Sequence, residues 1–507
     1  MFPPFFLILT KNLIMKTKYL IIFFFLSMLF SNSQENKQNI LFIGVDDMRP
    51  LTNSYGHHQM KTPNIDKLAS EGVQFNQAYT NIAVCGASRA SILTGVRGSQ
   101  ARFVSYYSRA DEDLPKAVDL AEIFKNNGYK TFSIGKIYHH GDDNIKNWDF
   151  FRPFQNQKDY KNPKSLAKIK QRDEYHPTNK NQIKTPPFEY ADVDDFAYND
   201  GKVTKTAIQN LRKLKDSKEP FFMAVGYIST HLPFIQPEKY KSLYSDKDLV
   251  FSDLRTIPKN APSRAVHEWT ELRNAYLDIP SKGPVSPKME EDLIRAYYST
   301  VSYLDTLIGK LIGTLDDLGM RDNTTIIFWS DHGFFLGEHG FWCKHHTFQE
   351  AIHVPLIISS PGKKKNIQSN ALVEYVDIYP TLCEVAGIRP PEYIHGKSMV
   401  PLLDNPSIDF KSEIYSRYQF REVVQDHDYS YHEILNYNKF YFDRQGNKKP
   451  THDSDVKVAG YMLFDMKNDN KQSIDISKDS KYKTIVEKYS TKLKKMREFT
   501  NKPIIIK

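Results

Sequence analysis

The segment Val84-Cys85-Gly86-Ala87-Ser88-Arg89-Ala90-Ser91-Ile92-Leu93-Thr94-Gly95 puts a cysteine, an arginine and a helix start within one short span. Ser88 to Thr94 reads as a short helical run and Gly95 as its stop, so the sequence predicts Cys85 just before a helix N-terminus. Unpaired N–H groups and the helix dipole favour an anion there. Arg89, one turn on, can return a planar guanidinium fork to the same spot, as a bidentate partner for an oxyanion or for a modified Cys85. A cysteine by itself more often opens a structural helix as a small buried hydrophobe. The chemical reading rests on the whole twelve-residue block.

Further acids, bases and cations come in short blocks. Asp46 and Asp47 follow the apolar run Asn39 to Val45, and Asp331-His332 follows Thr325 to Ser330. Lys136 and His139 follow Tyr129 to Ile134, and His231 follows Phe221 to Ile228. Gathered in one place, Asp46, Asp47 and Asp331 would repel one another at a cost that a cation between them removes. A hard divalent ion resolves this. Taken singly, Asp46-Asp47 reads as a turn cap, and each histidine as a hydrogen-bonded structural residue.

The elements that must position these groups are legible in the hydropathy. Each of the four runs is near-continuously apolar, as in a strand buried on both faces, and each delivers polar residues directly after its last apolar position. An open α/β sheet does this when its site lies beyond the carboxyl ends of the strands. Helical periodicity occupies Asn64 to Glu71, Asp119 to Asn127, Gly201 to Lys213 and Lys288 to Leu318. The sequence predicts an α/β fold: a large, mostly parallel or mixed central sheet flanked by helices, with a smaller C-terminal α+β subdomain containing a short antiparallel sheet. The catalytic domain is expected over residues 34–404 and the subdomain over 405–507. In the latter, short strands at Lys439 to Phe442 and Gly460 to Asp465 precede a basic helix near Tyr482 to Phe499. Residues 141–197 and 236–286 are polar and proline-studded, and are expected as long insertions over the sheet that shape a groove.

These blocks, in this order, resemble type I sulfatases of the alkaline-phosphatase-like superfamily, and within them the iduronate-2-sulfatase branch. The resemblance covers most of the chain from Asn39. It is carried by Val45-Asp46-Asp47-Met48-Arg49-Pro50, by the Cys85 block, by Gly135-Lys136-Ile137-Tyr138-His139, and by Gly226-Tyr227 through His231-Leu232-Pro233-Phe234. Ser330-Asp331-His332-Gly333 through Leu336-Gly337-Glu338-His339-Gly340 to Lys344 completes it. The resemblance implies that a maturation enzyme oxidises Cys85 to formylglycine, and that one Ca2+ is bound by Asp46, Asp47, Asp331, His332 and the modified Cys85. His332 stands where many relatives carry asparagine. It also implies Asp331 as the base for the attacking hydroxyl, Lys136 and Lys344 as holders of sulfate oxygens, His231 as the acid for the departing sugar oxygen, and His139 as acceptor of the remaining hydroxyl proton.

The implied substrate is a sulfated oligo- or polysaccharide, either a uronate-containing glycosaminoglycan or an algal polysaccharide such as ulvan. Substrate choice is expected in Arg102, Tyr106, Tyr107, Arg109, Phe334 and Phe335, whereas His140, His339, His345 and His346 are expected to be structural or peripheral. The superfamily also holds phosphodiesterases and phosphonate monoester hydrolases, and an unmodified Cys85 would leave a glycan-binding protein without catalysis.

Residues 1–33 set the compartment. Lys16 and Lys18 precede the apolar run Tyr19 to Phe30, and Ser31 and Ser33 permit cleavage before Gln34, which reads as a secretory signal peptide, with Met15 as the natural start and 1–14 as an extension. The run is shorter than the roughly 20 residues of a bilayer span, so an exported, periplasmic or secreted enzyme without a stable membrane span is expected. Removing these residues removes Lys11, Lys16, Lys18 and no acid, taking the formal charge from +9 to +6. This mild bias carries no nucleic-acid motif, and Lys161 to Lys170 and Lys481 to Lys495 read as solvated faces. Cys85, Cys343 and Cys383 are too few for a disulfide framework.

Overall fold

Eight strands build the central sheet of the computed structural model: β1 (Asn39–Val45), β2 (Val73–Phe75), β3 (Lys130–Gly135), β4 (Phe150–Pro153), β5 (Phe221–Gly226), β6 (Thr324–Ser330), β7 (Leu356–Ser359) and β8 (Ile367–Ser369). Their order is β8-β2-β7-β6-β1-β5-β3-β4. Within this sheet β7 runs against its neighbours β6 and β2, and the other pairings are parallel. The structure describes residues 37–155, 158–175, 184–217, 219–265, 270–442, 448–451 and 455–506, so the expected signal peptide lies outside the described residues.

Register is what makes a site. Gly44 lies opposite both Gly226 and Trp329, Val45 opposite Ser330, and Gly135 opposite Gly226. The four strands read from the sequence therefore end flush, and Asp46, Lys136, Tyr227 and Asp331 leave the sheet side by side at its carboxyl edge. The β3 and β5 ends approach so closely that only glycine fits: a Cβ on Gly226 would lie 2.0 Å from the Lys136 carbonyl oxygen, and one on Gly135 2.0 Å from the Gly226 oxygen.

Alternation along each buried strand supplies two apolar faces. Leu41, Ile43, Met223 and Phe328 pack toward α1 (Pro63–Ser70), α4 (Asn199–Leu214) and α6 (Pro287–Asp317), while Ile40, Phe42, Phe222 and Trp329 pack toward α2 (Cys85–Thr94), α3 (Leu120–Asn126) and α7 (Ile378–Val385). The result is three layers, helices on both faces of a mixed sheet. The 31-residue α6 starts where Ser286 accepts the Met289 N–H at 3.2 Å with Pro287 in its first turn, and it runs about 46 Å along the sheet.

Toward the C-terminus, β9 (Ile414–Tyr418), β10 (Arg421–Gln425), β11 (Tyr429–Tyr437) and β12 (Val456–Asp465) form an antiparallel sheet in chain order. Tyr415, Val424, Tyr431 and Leu463 pack there with Tyr489 and Leu493 of α8 (Lys483–Asn501). β9 props the loop that enters the Cys85 helix: Arg417 N donates to Asn81 O at 3.0 Å and Ala83 N to Arg417 O at 3.3 Å. Asn39–Lys507 forms one unit. No helix among the described residues is long and apolar enough to cross a membrane.

Two local expectations are corrected. The insertions contain structure: Phe150–Pro153 joins the central sheet as β4, Phe188–Ala191 pairs with Phe234–Pro237, and α5 (Thr270–Ala275) lies in the second insertion. Segments of four to six residues are too short for periodicity to register, and tertiary pairing decides them. The Cys85 helix also starts earlier than Ser88, since Val84 is its N-cap and Cys85 its first residue.

Candidate active site

Cys85 opens α2 after an extended Val84, and all ten helix residues are buried. Gly86 is required beside it, because a Cβ there would lie 2.2 Å from Tyr106 O, where the following loop folds back over the first turn. Cys85 Sγ lies 3.2 Å from His332 Nε2 and 4.0 Å from Asp47 Oδ1. Burial and the neighbouring Asp46 push the thiol up to about 12, so as a cysteine it stays protonated and a poor nucleophile.

Asp46, Asp47, Cys85 and His332 each offer one ligand atom, all within 4.8 Å of one another. Three observations fit a divalent cation here. Asp46 Oδ1 is buried with no hydrogen-bond partner. His332 Nδ1 lies 3.0 Å from Gly333 O, and donating that N–H leaves the Nε2 lone pair facing Cys85 and Asp47. Burial and Asp46 together push the Asp331 carboxyl up, the repulsion that a cation would relieve. Asp331, the fifth expected ligand, lies outside the four-atom group. Its Oδ1 is 3.7 Å from His332 Nε2 and accepts the N–H groups of Asp47 at 3.1 Å and His332 at 3.0 Å. Asp47 holds a left-handed backbone, φ 62°, which aspartate tolerates better than most residues.

Arg89 is placed differently from the expectation that it presents a fork to an oxyanion. It is fully buried, and its donors go to Asp331 Oδ2 at 2.9 Å, Val45 O at 3.0 Å, Ile137 O at 3.1 Å and Lys136 O. A buried guanidinium must satisfy its N–H groups locally, so it ties α2 to three strand ends as a positioning residue.

Lys136 Nζ contacts Asp46 Oδ2. Lys344 Nζ sits 2.9 Å from Asp47 Oδ2, 2.9 Å from Glu271 Oε1 and 3.0 Å from His231 Nε2. The loop carrying His231 is fastened where Asp200 accepts the N–H groups of Ile228 and Ser229 and Thr230 N donates to Asp46 O at 2.8 Å. His231 Nε2 faces Glu271 Oε1 at 3.1 Å and Asp47 Oδ2 at 3.8 Å. Burial works against its charge, yet Asp47 and Glu271 outweigh burial and Lys344 and hold His231 well above the usual histidine range, as an acid requires. His139 is the opposite case. Burial and Lys136 hold it well below that range, and its buried Nδ1 has no hydrogen-bond partner, as suits a proton acceptor.

Glu271 was not legible in the sequence: a single glutamate in a polar insertion carries no motif. His345, expected to be peripheral, reaches within 3.9 Å of Glu271 Oε2. Of the residues expected to choose substrate, Phe334 and Phe335 are fully buried, and Arg102 is buried with its guanidinium on Arg97 O and Thr500 O. Phe334 and Phe335 belong to the core, and Arg102 to buried packing against the C-terminal helix. Tyr106 is 45% exposed, and Arg109 pairs with Asp111 and Asp142.

Carboxylates and cations converging on strand ends, around a non-nucleophilic cysteine at a helix start, define the centre of an α/β enzyme that handles an anionic ester. A family model described as Sulfatase matches residues 38–388, and one described as N-sulphoglucosamine sulphohydrolase, C-terminal, matches residues 337–499. Human iduronate 2-sulfatase is 31% identical over 476 residues, covering 85% of this chain and 84% of its own. The ulvan-active sulfatase of Formosa agariphila is 28% identical over 388 residues, covering 74% and 66%. BT4656, solved in complex with its substrate D-glucosamine-2-N,6-O-disulfate, shares the fold at TM-score 0.70 and 20% identity, covering 92% of this chain and 98% of its own. The phosphonate monoester hydrolase of Agrobacterium radiobacter shares it at TM-score 0.69 and 21% identity, covering 92% and 96%. The chain belongs to the sulfatase family, in the alkaline-phosphatase-like group, and is a sulfatase.

Proposed function

We propose that this sulfatase is formylglycine-dependent and removes O-sulfate from a uronate-containing sulfated carbohydrate, a glycosaminoglycan or an algal polysaccharide such as ulvan. One observation carries the reading: Cys85 opens a buried helix with Sγ 3.2 Å from His332 and 4.0 Å from Asp47, in surroundings that keep the thiol neutral. Relatives named for iduronate and ulvan support the substrate class. A maturation enzyme converts Cys85, and the precursor is exported on its N-terminal segment. Asp46, Asp47, His332 and residue 85, with Asp331 beside them, would hold one Ca2+.

Hydrated formylglycine supplies two geminal hydroxyls, one to attack sulfur and the other to expel sulfate, while the cation supplies charge neutralisation. The chain's own residues do the rest. Lys136 and Lys344 hold sulfate oxygens as fixed positive donors. Asp331, fixed by Arg89, takes the proton of the attacking hydroxyl. His231 hands a proton from Nε2 to the departing sugar oxygen, and neutral His139 accepts the last hydroxyl proton as sulfate leaves.

The fold shared with a phosphonate monoester hydrolase sets the test. Turnover of p-nitrophenyl sulfate and of sulfated uronate oligosaccharides is compared with that of p-nitrophenyl phenylphosphonate. Sulfate esters are expected to win in kcat/KM by roughly tenfold or more, and the reverse order would transfer the chain to the phosphonate reading.

A further inference from the structure

Glu271 helps hold His231 protonated but takes no proton or sulfate oxygen in the chemistry above, yet α5 delivers its carboxylate to the centre of it. Oε1 lies 2.9 Å from Lys344 Nζ and 3.1 Å from His231 Nε2. Burial would raise this carboxyl, but Lys344 and His231 outweigh burial and hold it well below the usual range, so it is ionised. Oε2 is buried and accepts no hydrogen bond, with His345 Nε2 3.9 Å away. An ionised carboxylate with one oxygen unsatisfied in a buried site is costly, and a ligand that brings the missing donor relieves that cost.

The position of that donor follows from His231. The nitrogen that faces Glu271 is the one that protonates the departing sugar oxygen, so the Glu271 carboxylate lies beside the place of that oxygen. On a uronide ring sulfated at a secondary position, an adjacent carbon that is not in a glycosidic linkage carries a hydroxyl. A second sulfate there would set anion against anion and bring no donor to Oε2. Resting on the sulfatase reading, we propose that Glu271 is a specificity-determining residue whose Oε2 accepts a hydrogen bond from the hydroxyl vicinal to the scissile sulfate. Substrates are then sulfated at only one of those two carbons.

The test is sulfate release from a sulfated methyl uronide with a free vicinal hydroxyl, from its vicinal deoxy analogue, and from p-nitrophenyl sulfate, using wild type, Glu271→Ala and Glu271→Gln. With wild type, the deoxy sugar is expected to lose on the order of 10- to 100-fold in kcat/KM, the span of one hydrogen bond to a charged group. With Glu271→Ala the two sugars are expected to converge to within about threefold, because the group that told them apart is gone. Glu271→Gln keeps an acceptor of the same shape without the charge, so the ratio shrinks without vanishing, and it serves if the alanine variant does not fold. If Glu271 only positions Lys344 and His231, the two sugars lose equally, p-nitrophenyl sulfate loses less because its leaving group needs no proton, and the wild-type ratio between the two sugars survives in both variants. That result, or a wild type indifferent to the vicinal hydroxyl, overturns the proposal while leaving the sulfatase reading in place. A wild type that turns over phosphonates and none of the three sulfates would overturn both.

Discussion

Replacing Arg89 with alanine should damage the fold as much as the chemistry. The guanidinium is fully buried and holds Asp331 Oδ2 at 2.9 Å, Val45 O at 3.0 Å, Ile137 O at 3.1 Å and Lys136 O. Alanine would take the donor from the buried Asp331 Oδ2 and from the Lys136 and Ile137 carbonyls at once, while Val45 O keeps the Asp331 N–H at 3.2 Å. Removing one partner of a buried ion pair costs about 3–5 kcal/mol, and a stranded carbonyl that water does not reach adds about 1–3 kcal/mol. Partial relaxation keeps the total on the order of 4–7 kcal/mol, a large share of the roughly 5–15 kcal/mol that holds a domain folded. Arg89→Lys restores a charge near Asp331 without the planar fork, and about 2–4 kcal/mol should be lost. Urea unfolding followed by tryptophan fluorescence measures both, and inhibition by free sulfate separates a positioning role from a binding one. The positioning account expects the sulfate inhibition constant of Arg89→Lys to stay within about threefold of wild type, since its partners are protein groups. A loss below about 1 kcal/mol for Arg89→Ala, or a stable Arg89→Lys that binds sulfate roughly tenfold more weakly, would refute the reasoning.

His231→Ala should cost on the order of 10²–10⁴ in kcat on sugar sulfates and much less on p-nitrophenyl sulfate, whose leaving group needs no proton; equal losses would take the acid role from His231. Protein dialysed against EDTA should gain about 2.7 kcal/mol of stability when Ca2+ reaches about 100 times its dissociation constant, and Asp46→Asn should abolish the gain. An unfolding midpoint indifferent to Ca2+ in wild type would contradict the metal assignment. Burial and Glu338 push Glu350 up to about 7 from the ordinary 4.5. The folded protein then keeps a proton that the unfolded chain has released, so this contribution to stability is full below pH 4.5, declines as pH rises and is gone above about pH 7. Glu350→Gln should therefore match wild type in acid and exceed it by about 1–3 kcal/mol at pH 8. A urea midpoint difference that does not change across that window would contradict it.

Much of the scaffold was legible because buried parallel strands write themselves as continuous apolar runs. Asn39–Val45 was read to the residue, and Lys130–Gly135, Phe221–Gly226 and Thr324–Ser330 to within two positions at either end. What hydropathy cannot supply is register. The flush alignment of Val45 with Ser330 and of Gly135 with Gly226 is set by pairing, and it decides that Asp46, Lys136 and Asp331 emerge together. Arg89 was found but its orientation was not, because a motif names residue types and says nothing of which carbonyls will lie within reach. Phe334 and Phe335 were read toward the substrate from their place in the block, whereas burial assigns them to the core. Glu271 was invisible for a different reason: α5 is six residues long and acquires meaning only from what it is packed beside.

The most direct test of the account is the mass of the tryptic peptide spanning residue 85 in enzyme that releases sulfate. Conversion of the cysteine to the aldehyde predicts a peptide about 18 Da lighter than the cysteine form, from exchange of CH2SH for CHO, with Cys85→Ala folded and inactive. Full sulfatase activity from protein whose residue 85 is uniformly an unmodified thiol would contradict the central claim.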